Sequence, residues 1–205
     1  MQSIVIKVVN RIYWHGRGWA FTPKDFVDIG ERASIDTSLN RLQLKGTIRN
    51  ILRGVYDYPR FSSLFNAPAS PEPDQIAQAI ARNHGWSISP SGETALNILG
   101  LSNQVPGKYL YFSDGPTKKY SWAGGELCFT KRAIKETAAL SPRTVLLVQA
   151  LKTLGNEHIT TEIICKLSKQ FTKKEKTTAL REAKYVTNWV YETIKKITQE
   201  QEIYV

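Results

Sequence analysis

Cysteine is scarce in this 205-residue chain, which has only Cys128 and Cys165. No Cys-x-x-Cys occurs, so the sequence supports neither a zinc site nor a dithiol redox motif, and we expect two buried free thiols. Long apolar runs are also missing, because no stretch approaches the roughly 18 residues that predict a membrane-spanning helix. The N-terminal segment lacks a basic region ahead of an apolar core, as a secretory signal would have. We therefore expect a cytoplasmic protein that does not enter a membrane.

Residues suited to catalysis or metal binding are thinly spread. The three histidines, at 15, 84 and 158, are not near a cysteine and lack the spacing of paired ligands. The segment from Gly100 to Tyr109 resembles a phosphate-binding loop but has six residues between its glycines and no Ser or Thr after Lys108. The single Glu-x-Lys, Glu182 to Lys184, lies in a predicted helix, whereas a metal-dependent nuclease needs converging carboxylates. We expect no enzyme activity, no metal and no cofactor.

Positive charge is the most informative feature of the composition. The chain has 28 lysines and arginines against 18 aspartates and glutamates, a formal net charge of +10. The excess lies in residues 1–60, at net +5, and in residues 131–205, at net +6, whereas the middle of the chain is close to neutral. A basic surface of this kind favours a polyanionic partner, most often nucleic acid.

The first sixty residues have the order of elements of a winged helix-turn-helix. Apolar residues at helical spacing, Thr-Pro and glycine signals, and two short apolar runs define the elements. They are a helix over 2–14, a short helix from Thr22-Pro23 to Gly30, a helix over 34–45 capped by Ser34, and strands over 47–52 and 55–58 around Arg53-Gly54. The predicted domain therefore covers residues 1–60.

The helix over 34–45 is the candidate DNA-reading helix. Ile35, Leu39 and Leu42 form its buried stripe, and the opposite side carries short hydrogen-bonding groups and cations. Such groups reach base edges and phosphates from the major groove, where Asn pairs with adenine and Arg with guanine. A plain solvated helix face is the alternative. The predicted DNA-binding residues are Arg32, Ser34, Thr37, Ser38, Asn40, Arg41, Lys45, Arg49 and Arg53.

The second half of the chain predicts an α+β domain over residues 74–205. Prolines and serines between residues 59 and 73 exclude a continuous helix, so we place a Pro-rich linker at 61–73. We expect a helix over 74–84 capped by Asp74, a helix from Pro90-Ser91-Gly92 to Gly100, an antiparallel meander of strands 109–113, 118–122 and 126–130, and helices over 142–154, 160–170, 173–184 and 185–198. The fold class is thus α+β with a small antiparallel sheet and a helical C-terminus.

The densest basic run lies in the C-terminal helices. Five lysines within eleven residues are candidates for contacts with phosphate or with an acidic partner, although such a run is also typical of a solvated helix face. They are Lys166, Lys169, Lys173, Lys174 and Lys176.

Several segments of the chain resemble the AbiEi-type antitoxins of bacterial abortive-infection systems. They are residues 17–26, 39–42, 46–48, 53–59, 76–82, 90–92, 97–106, 114–116 and 149–155. The most specific is the string Gly-Leu-Ser-x-Gln-Val-Pro at 100–106, and residues 156–205 match more loosely. The resemblance implies an N-terminal winged helix-turn-helix followed by an antitoxin domain, with helix 34–45 reading DNA through Thr37, Asn40 and Arg41 and with Arg53 at the wing. It transfers no catalytic residue.

The same resemblance implies a function. Proteins of that family repress their own operon by binding repeats in double-stranded promoter DNA. They also counteract a toxin that resembles a nucleotidyltransferase, in type IV toxin–antitoxin systems that need no stable complex with the toxin. We therefore expect a non-enzymatic transcriptional repressor with an antitoxin role. The alternatives are a DNA nuclease targeted by a helix-turn-helix and a protein-interaction module.

Overall fold

The computed structural model describes residues 3–102, 104, 107–132 and 140–199. These residues form a mixed α+β fold with small antiparallel sheets. The chain divides into two compact units. The first contains the chain up to Trp86 together with residues 119–127, and the second contains residues 87–118 and the chain from Cys128 onward.

The first unit begins with helices and short strands. They are α1 (Ile4–His15), β1 (Ala20–Phe21), a 3-10 helix (Pro23–Phe26), α2 (Arg32–Leu44), β2 (Arg49–Leu52), β3 (Val55–Asp57), β4 (Phe61–Ser62), β5 (Ala67–Pro68) and α3 (Pro73–His84). The predicted elements occur in the predicted order, with the unpredicted strands β1, β4 and β5 added. Val8 and Ile12 of α1 pack with Phe21, Phe26 and the buried side of α2. The amphipathic spacing that predicted α1 and α2 thus reflects one shared core.

The second element is shorter than predicted and is a 3-10 helix. Its start is the predicted one, because Thr22 and Asp25 form a capping box with Pro23 in the first turn. Beyond Phe26 the chain is held by Arg11, which donates to the Asp25 carbonyl oxygen and to both carboxylate oxygens of Asp28. These hydrogen bonds from Arg11 lower the pKa of Asp28 to about 2. The chain between Phe26 and Gly30 therefore forms turns and does not continue as a helix.

Helix α2 starts earlier than predicted. Its N-cap is Glu31, whose backbone is extended, so Ser34 lies inside the helix and is not the cap. Arg32 in the first turn donates to the Asp36 carboxylate at 2.9 Å, one turn further on. Such a pair one turn apart supports a helix start that no Ser, Thr, Asp or Asn cap marks in the sequence.

The predicted hairpin is confirmed, and it gains a third strand. The sheet has the antiparallel order β1-β3-β2, in which Ala20 and Arg49 both pair with Asp57 of the central strand. Gly54 in the turn has a φ of 76°, a conformation that glycine adopts without the strain of a side chain. Strand β1 has only two residues, too few to give a periodic signal in the sequence.

Hydrogen bonds and an ion pair hold the segment predicted as a linker within the first unit. Arg17 donates to the Pro59 carbonyl oxygen at 2.8 Å, Arg49 donates to that of Ala69 at 3.0 Å, and Arg60 pairs with Glu72. Between these ties, β4 and β5 form a small hairpin.

Helix α3, predicted for the second domain, also belongs to the first unit. Glu72 is its N-cap, so Asp74 lies in the first turn instead of capping it. Arg82 near its end donates to the Asp25 carboxylate and to the Ala20 carbonyl oxygen, both at 2.9 Å. The first unit therefore continues without a break to Trp86, whereas the predicted boundary lies at 61–73.

The rest of the chain begins with four strands and one helix and continues with four helices. They are β6 (Ile88–Pro90), α4 (Gly92–Ile98), β7 (Tyr109–Ser113), β8 (Lys118–Trp122), β9 (Gly125–Lys131), α5 (Pro142–Leu154), α6 (Thr161–Gln170), α7 (Lys173–Glu182) and α8 (Asn188–Gln199). The sheet order is β6-β7-β9-β8, so the predicted meander is wrong. Strand β9 lies between β7 and β8, and the unpredicted β6 pairs with the outer side of β7.

The helices α4 to α8 share one apolar core. Its centre includes Leu147, Leu151, Leu167 and Ile194. Hydroxyl caps begin three of these helices, since Ser91 accepts from the Thr94 amide, Thr160 accepts from the Ile163 amide, and Thr172 forms a capping box with Glu175. None of the helices in the described ranges is long and apolar enough to cross a membrane.

Two further predictions concern single residues. Both cysteines are free, and Cys128 is buried as expected, but Cys165 is only partly buried. Asn103, Val105 and Pro106 of the string at 100–106 lie outside the described residues.

Candidate nucleic-acid interface

Helix α2 presents one polar face to solvent. Ile35, Leu39 and Leu42 are buried in the core of the first unit, as predicted. Asn40 and Arg41 lie on the opposite side and are exposed. Within the described residues, neither side chain has a hydrogen-bond or ion-pair partner. Their donors and acceptors are therefore available to a ligand.

The first turns of α2 extend this face. Thr37 is exposed, and its hydroxyl donates to the Ala33 carbonyl oxygen at 2.8 Å, which leaves the oxygen lone pairs accessible. Ser34 is half-buried. Together with the start of α1, these turns line a shallow groove of about 350 Å³ that Arg41 also borders. Arg32 is exposed, but its guanidinium pairs with Asp36.

Ser38 does not belong to the exposed face. It is only 2% exposed, and its hydroxyl donates to the Ser34 carbonyl oxygen at 2.7 Å. The 3.6-residue period places it between the buried Ile35 and Leu42 on one side and Arg41 on the other. This burial does not favour a DNA contact by Ser38, and that contact stays a prediction.

The two arginines predicted at the wing have different environments. Arg49 lies in β2 and donates two hydrogen bonds to the Asp57 carboxylate, of 3.0 and 2.6 Å. Asp57 is only 2% exposed, so the Arg49 guanidinium neutralises a buried charge instead of facing a ligand. Arg53 lies at the hairpin turn and is exposed, with no side-chain partner in the described part of the chain. Arg53 alone fits the predicted role at the wing.

Lys45 follows α2 and borders a groove that the sequence did not predict. The groove has a volume of about 350 Å³, and Arg17, Arg60, Tyr13 and Tyr58 also line it. The Arg17 guanidinium lies 4.7 Å from the centre of the Tyr58 ring, and Arg60 donates to the Arg17 carbonyl oxygen at 3.3 Å. Because more than forty residues separate the two arginines, no local pattern could have joined them.

The C-terminal lysines are divided between buried and exposed positions. Lys176 is only 3% exposed and donates to the Ser168 hydroxyl at 2.7 Å, so this placement does not favour a phosphate contact, which stays a prediction. Lys166 is exposed but donates to the Gly100 carbonyl oxygen. Lys169 is exposed. Lys176 lies three residues before the buried Ala179 of the same helix, and a count of lysines cannot reveal this position.

Lys173 and Lys174 lie in a second basic groove, which is in the second unit. It has a volume of about 470 Å³, and its described lining adds Thr177, Thr178 and Arg181 from the same helix, α7. Three cations and two hydroxyls on one helix face suit the oxygen atoms of a phosphate backbone. Arg181 was missed because it lies one turn beyond the lysine run.

The carboxylate of the single Glu-x-Lys has a local role. Glu182 accepts hydrogen bonds from the Ser141 amide at 2.9 Å and from the Ser141 hydroxyl at 2.8 Å, at the start of α5. Burial acts to raise the pKa of Glu182, but hydrogen bonding by the Thr144 side chain and by Ser141 outweighs it, and the pKa is lowered. In the part of the chain that the structure describes, no three His, Cys, Asp or Glu residues are grouped so that they could hold a metal ion.

Comparison with known proteins identifies a family and finds similarity to solved structures. A family model described as a family of unknown function (DUF6088) matches residues 7–180. The crystal structure of the RV2827C protein from Mycobacterium tuberculosis shares 13% sequence identity, covering 88% of this chain and 71% of that one, with a TM-score of 0.37. No curated protein matches the chain.

The pairing of Arg49 with Asp57 predicts a loss of stability rather than a specific loss of DNA affinity when Arg49 is removed. Arg49→Ala leaves the buried Asp57 carboxylate without its partner, which should lower the free energy of unfolding by about 3 kcal/mol. Arg32→Ala removes an exposed pair and should cost less than about 1 kcal/mol. Urea unfolding followed by tryptophan fluorescence measures both. Equal and small losses would mean that Arg49 is a surface cation free to bind DNA.

Proposed function

We propose that this chain, which belongs to the DUF6088 family of unknown function, is a sequence-specific DNA-binding repressor with an antitoxin role. The observation that carries the proposal is the exposed face of α2, where Asn40 and Arg41 stand opposite the buried stripe without partners in the described residues. The protein acts in the cytoplasm and binds DNA near its own gene.

The first unit functions as a winged helix-turn-helix in this proposal. The succession of α1, the 3-10 helix, α2 and the β2–β3 hairpin supports this assignment, as does the additional strand β1 beside β3. Helix α2 enters the major groove, and the turn that contains Arg53 lies against the sugar-phosphate backbone or in the minor groove.

The side chains of α2 then divide into two roles. Arg41 reads guanine through its O6 and N7 acceptors, and Asn40 reads adenine through N6 and N7, because these groups match in bidentate geometry. Lys45 and Arg53 contact phosphates, which position the protein without reading sequence. The groove of Lys173, Lys174 and Arg181 adds further phosphate contacts or meets an acidic partner.

The antitoxin role draws on the similarity of residues 17–26, 53–59 and 97–106 to AbiEi-type antitoxins. The protein counteracts a nucleotidyltransferase-like toxin without forming a stable complex with it. No residue of this chain performs catalysis in that role.

Arg41→Ala tests base reading by α2. On a site selected from random DNA, the variant should lose about 1–3 kcal/mol of binding free energy, because a bidentate contact is removed. On random duplexes the loss should be small. Fluorescence anisotropy at fixed salt measures both.

Lys173→Ala is the control for that experiment. A phosphate contact carries no sequence information, so this variant should weaken binding to the selected and the random duplex by a similar factor. Equal losses on both duplexes for Arg41→Ala would contradict base reading by this helix.

Co-expression tests the antitoxin role. Cells that produce a nucleotidyltransferase-like toxin encoded beside this gene should resume growth when the protein is also produced. Growth that stays arrested, while purified protein still binds the selected DNA, would leave the repressor function and remove the antitoxin function.

A further inference from the structure

The exposed face of α2 contains one large apolar side chain. Leu44 is 81% exposed, although it lies in the last turn of a well-formed helix. Positions 37, 40, 41 and 44 fall on one side of an α-helix, since 40 and 41 lie three and four residues after 37, and 44 lies four and three residues after them. Leu44 therefore continues the stripe of Thr37, Asn40 and Arg41, directly opposite Ile35 and Leu42.

Folding does not account for a leucine at this position. The core of the first unit takes Leu39 and Leu42 from the same helix and leaves Leu44 outside. A single exposed leucine is ordinary on a protein surface. This one, however, is flanked by Arg41 on its own stripe and by the exposed cation Lys45. An extended apolar partner surface would have to desolvate both cations, which is unfavourable without matching negative charge.

The major groove of DNA combines negative charge with one apolar feature. Among the base edges exposed there, thymine alone carries a methyl group, on C5, and side chains recognise it by apolar contact. The phosphates on both sides of the groove supply the charge that Arg41 and Lys45 need. A stripe of polar and cationic groups with one apolar member thus matches this groove.

We infer that Leu44 contacts the C5-methyl group of a thymine and gives the protein a preference for thymine at one position of its site. This inference rests on the proposed DNA-binding function of α2. Leu44 lies about 4.5 Å further along the helix axis than Arg41, and successive bases are about 3.4 Å apart. The thymine is therefore within one or two base pairs of the guanine read by Arg41.

Deoxyuridine substitution tests the contact, because deoxyuridine pairs as thymine does but lacks the methyl group. The full-length protein is used to select a site from a random DNA library. Each thymine of that site is then replaced singly by deoxyuridine, and binding is measured by fluorescence anisotropy. We expect one replacement to weaken binding about 3- to 10-fold, as loss of a buried methyl group does. That thymine should lie near the guanine read by Arg41, which is the guanine whose replacement leaves the affinity of the Arg41→Ala variant unchanged.

Variants of two leucines identify the side chain responsible. Leu44→Ala should weaken binding to the thymine duplex by a similar factor and should bind the deoxyuridine duplex no more weakly than the thymine duplex. Leu64→Ala is the matched control, because Leu64 is 83% exposed and lies in the β4–β5 hairpin instead of α2. It should keep both the affinity and the response to deoxyuridine. Both exposed variants should unfold at the temperature of the unaltered protein.

The outcomes separate this inference from the function beneath it. If selection enriches no site, the proposed DNA-binding function fails and the thymine contact fails with it. If a site is bound and Arg41→Ala weakens it, but no deoxyuridine replacement does, the function stands and the thymine contact is overturned. A Leu44→Ala variant that still responds to deoxyuridine overturns it as well. A changed molecular mass of that variant in light scattering, with the response intact, would assign Leu44 to a contact between copies.

Discussion

The first unit depends on the pairing of one buried carboxylate with one arginine. Asp57 lies in the central strand β3, opposite Ala20 of β1 and Arg49 of β2, so its charge lies where three strands meet. Arg49 neutralises it through two hydrogen bonds and also holds the Ala69 carbonyl oxygen. A buried charge without such a partner would cost several kcal/mol. The pair thereby fixes both the hairpin and the chain that follows it.

The same pair shows how basic charge is divided in this protein. A net charge of +10 describes the whole chain, but many of its cations serve the fold. Arg11 holds Asp28, Arg82 holds Asp25, and Lys176 is buried against Ser168. Arg41 lies exposed on α2, Lys45 lies exposed directly after it, and Arg53 lies exposed at the hairpin turn. The candidate interface is thus defined by which cations the fold leaves exposed, and the number of cations does not reveal this.

This division also explains what could be predicted from the sequence. Local signals predicted α1, α2 and the β2–β3 hairpin, because helical periodicity and the turn glycine Gly54 act over a few residues. They also placed Asn40 and Arg41 on the outer side of α2. Local patterns did not reveal an environment that residues further along the chain decide. Arg49 and Lys176 carry the charge typical of surface residues, but each is hydrogen-bonded to a partner eight residues away in the sequence. The position of β9 between β7 and β8 depends on strand pairing that no local pattern specifies.

The central claim is that the face of α2 recognises a particular DNA sequence. Its most direct test is fluorescence anisotropy with the DNA immediately upstream of the gene and with a scrambled duplex of equal composition, across a series of salt concentrations. The account predicts tighter binding to the upstream DNA at every salt concentration, with log affinity falling linearly as log salt concentration rises, because phosphate contacts release counterions. Equal and weak binding to both duplexes would contradict it.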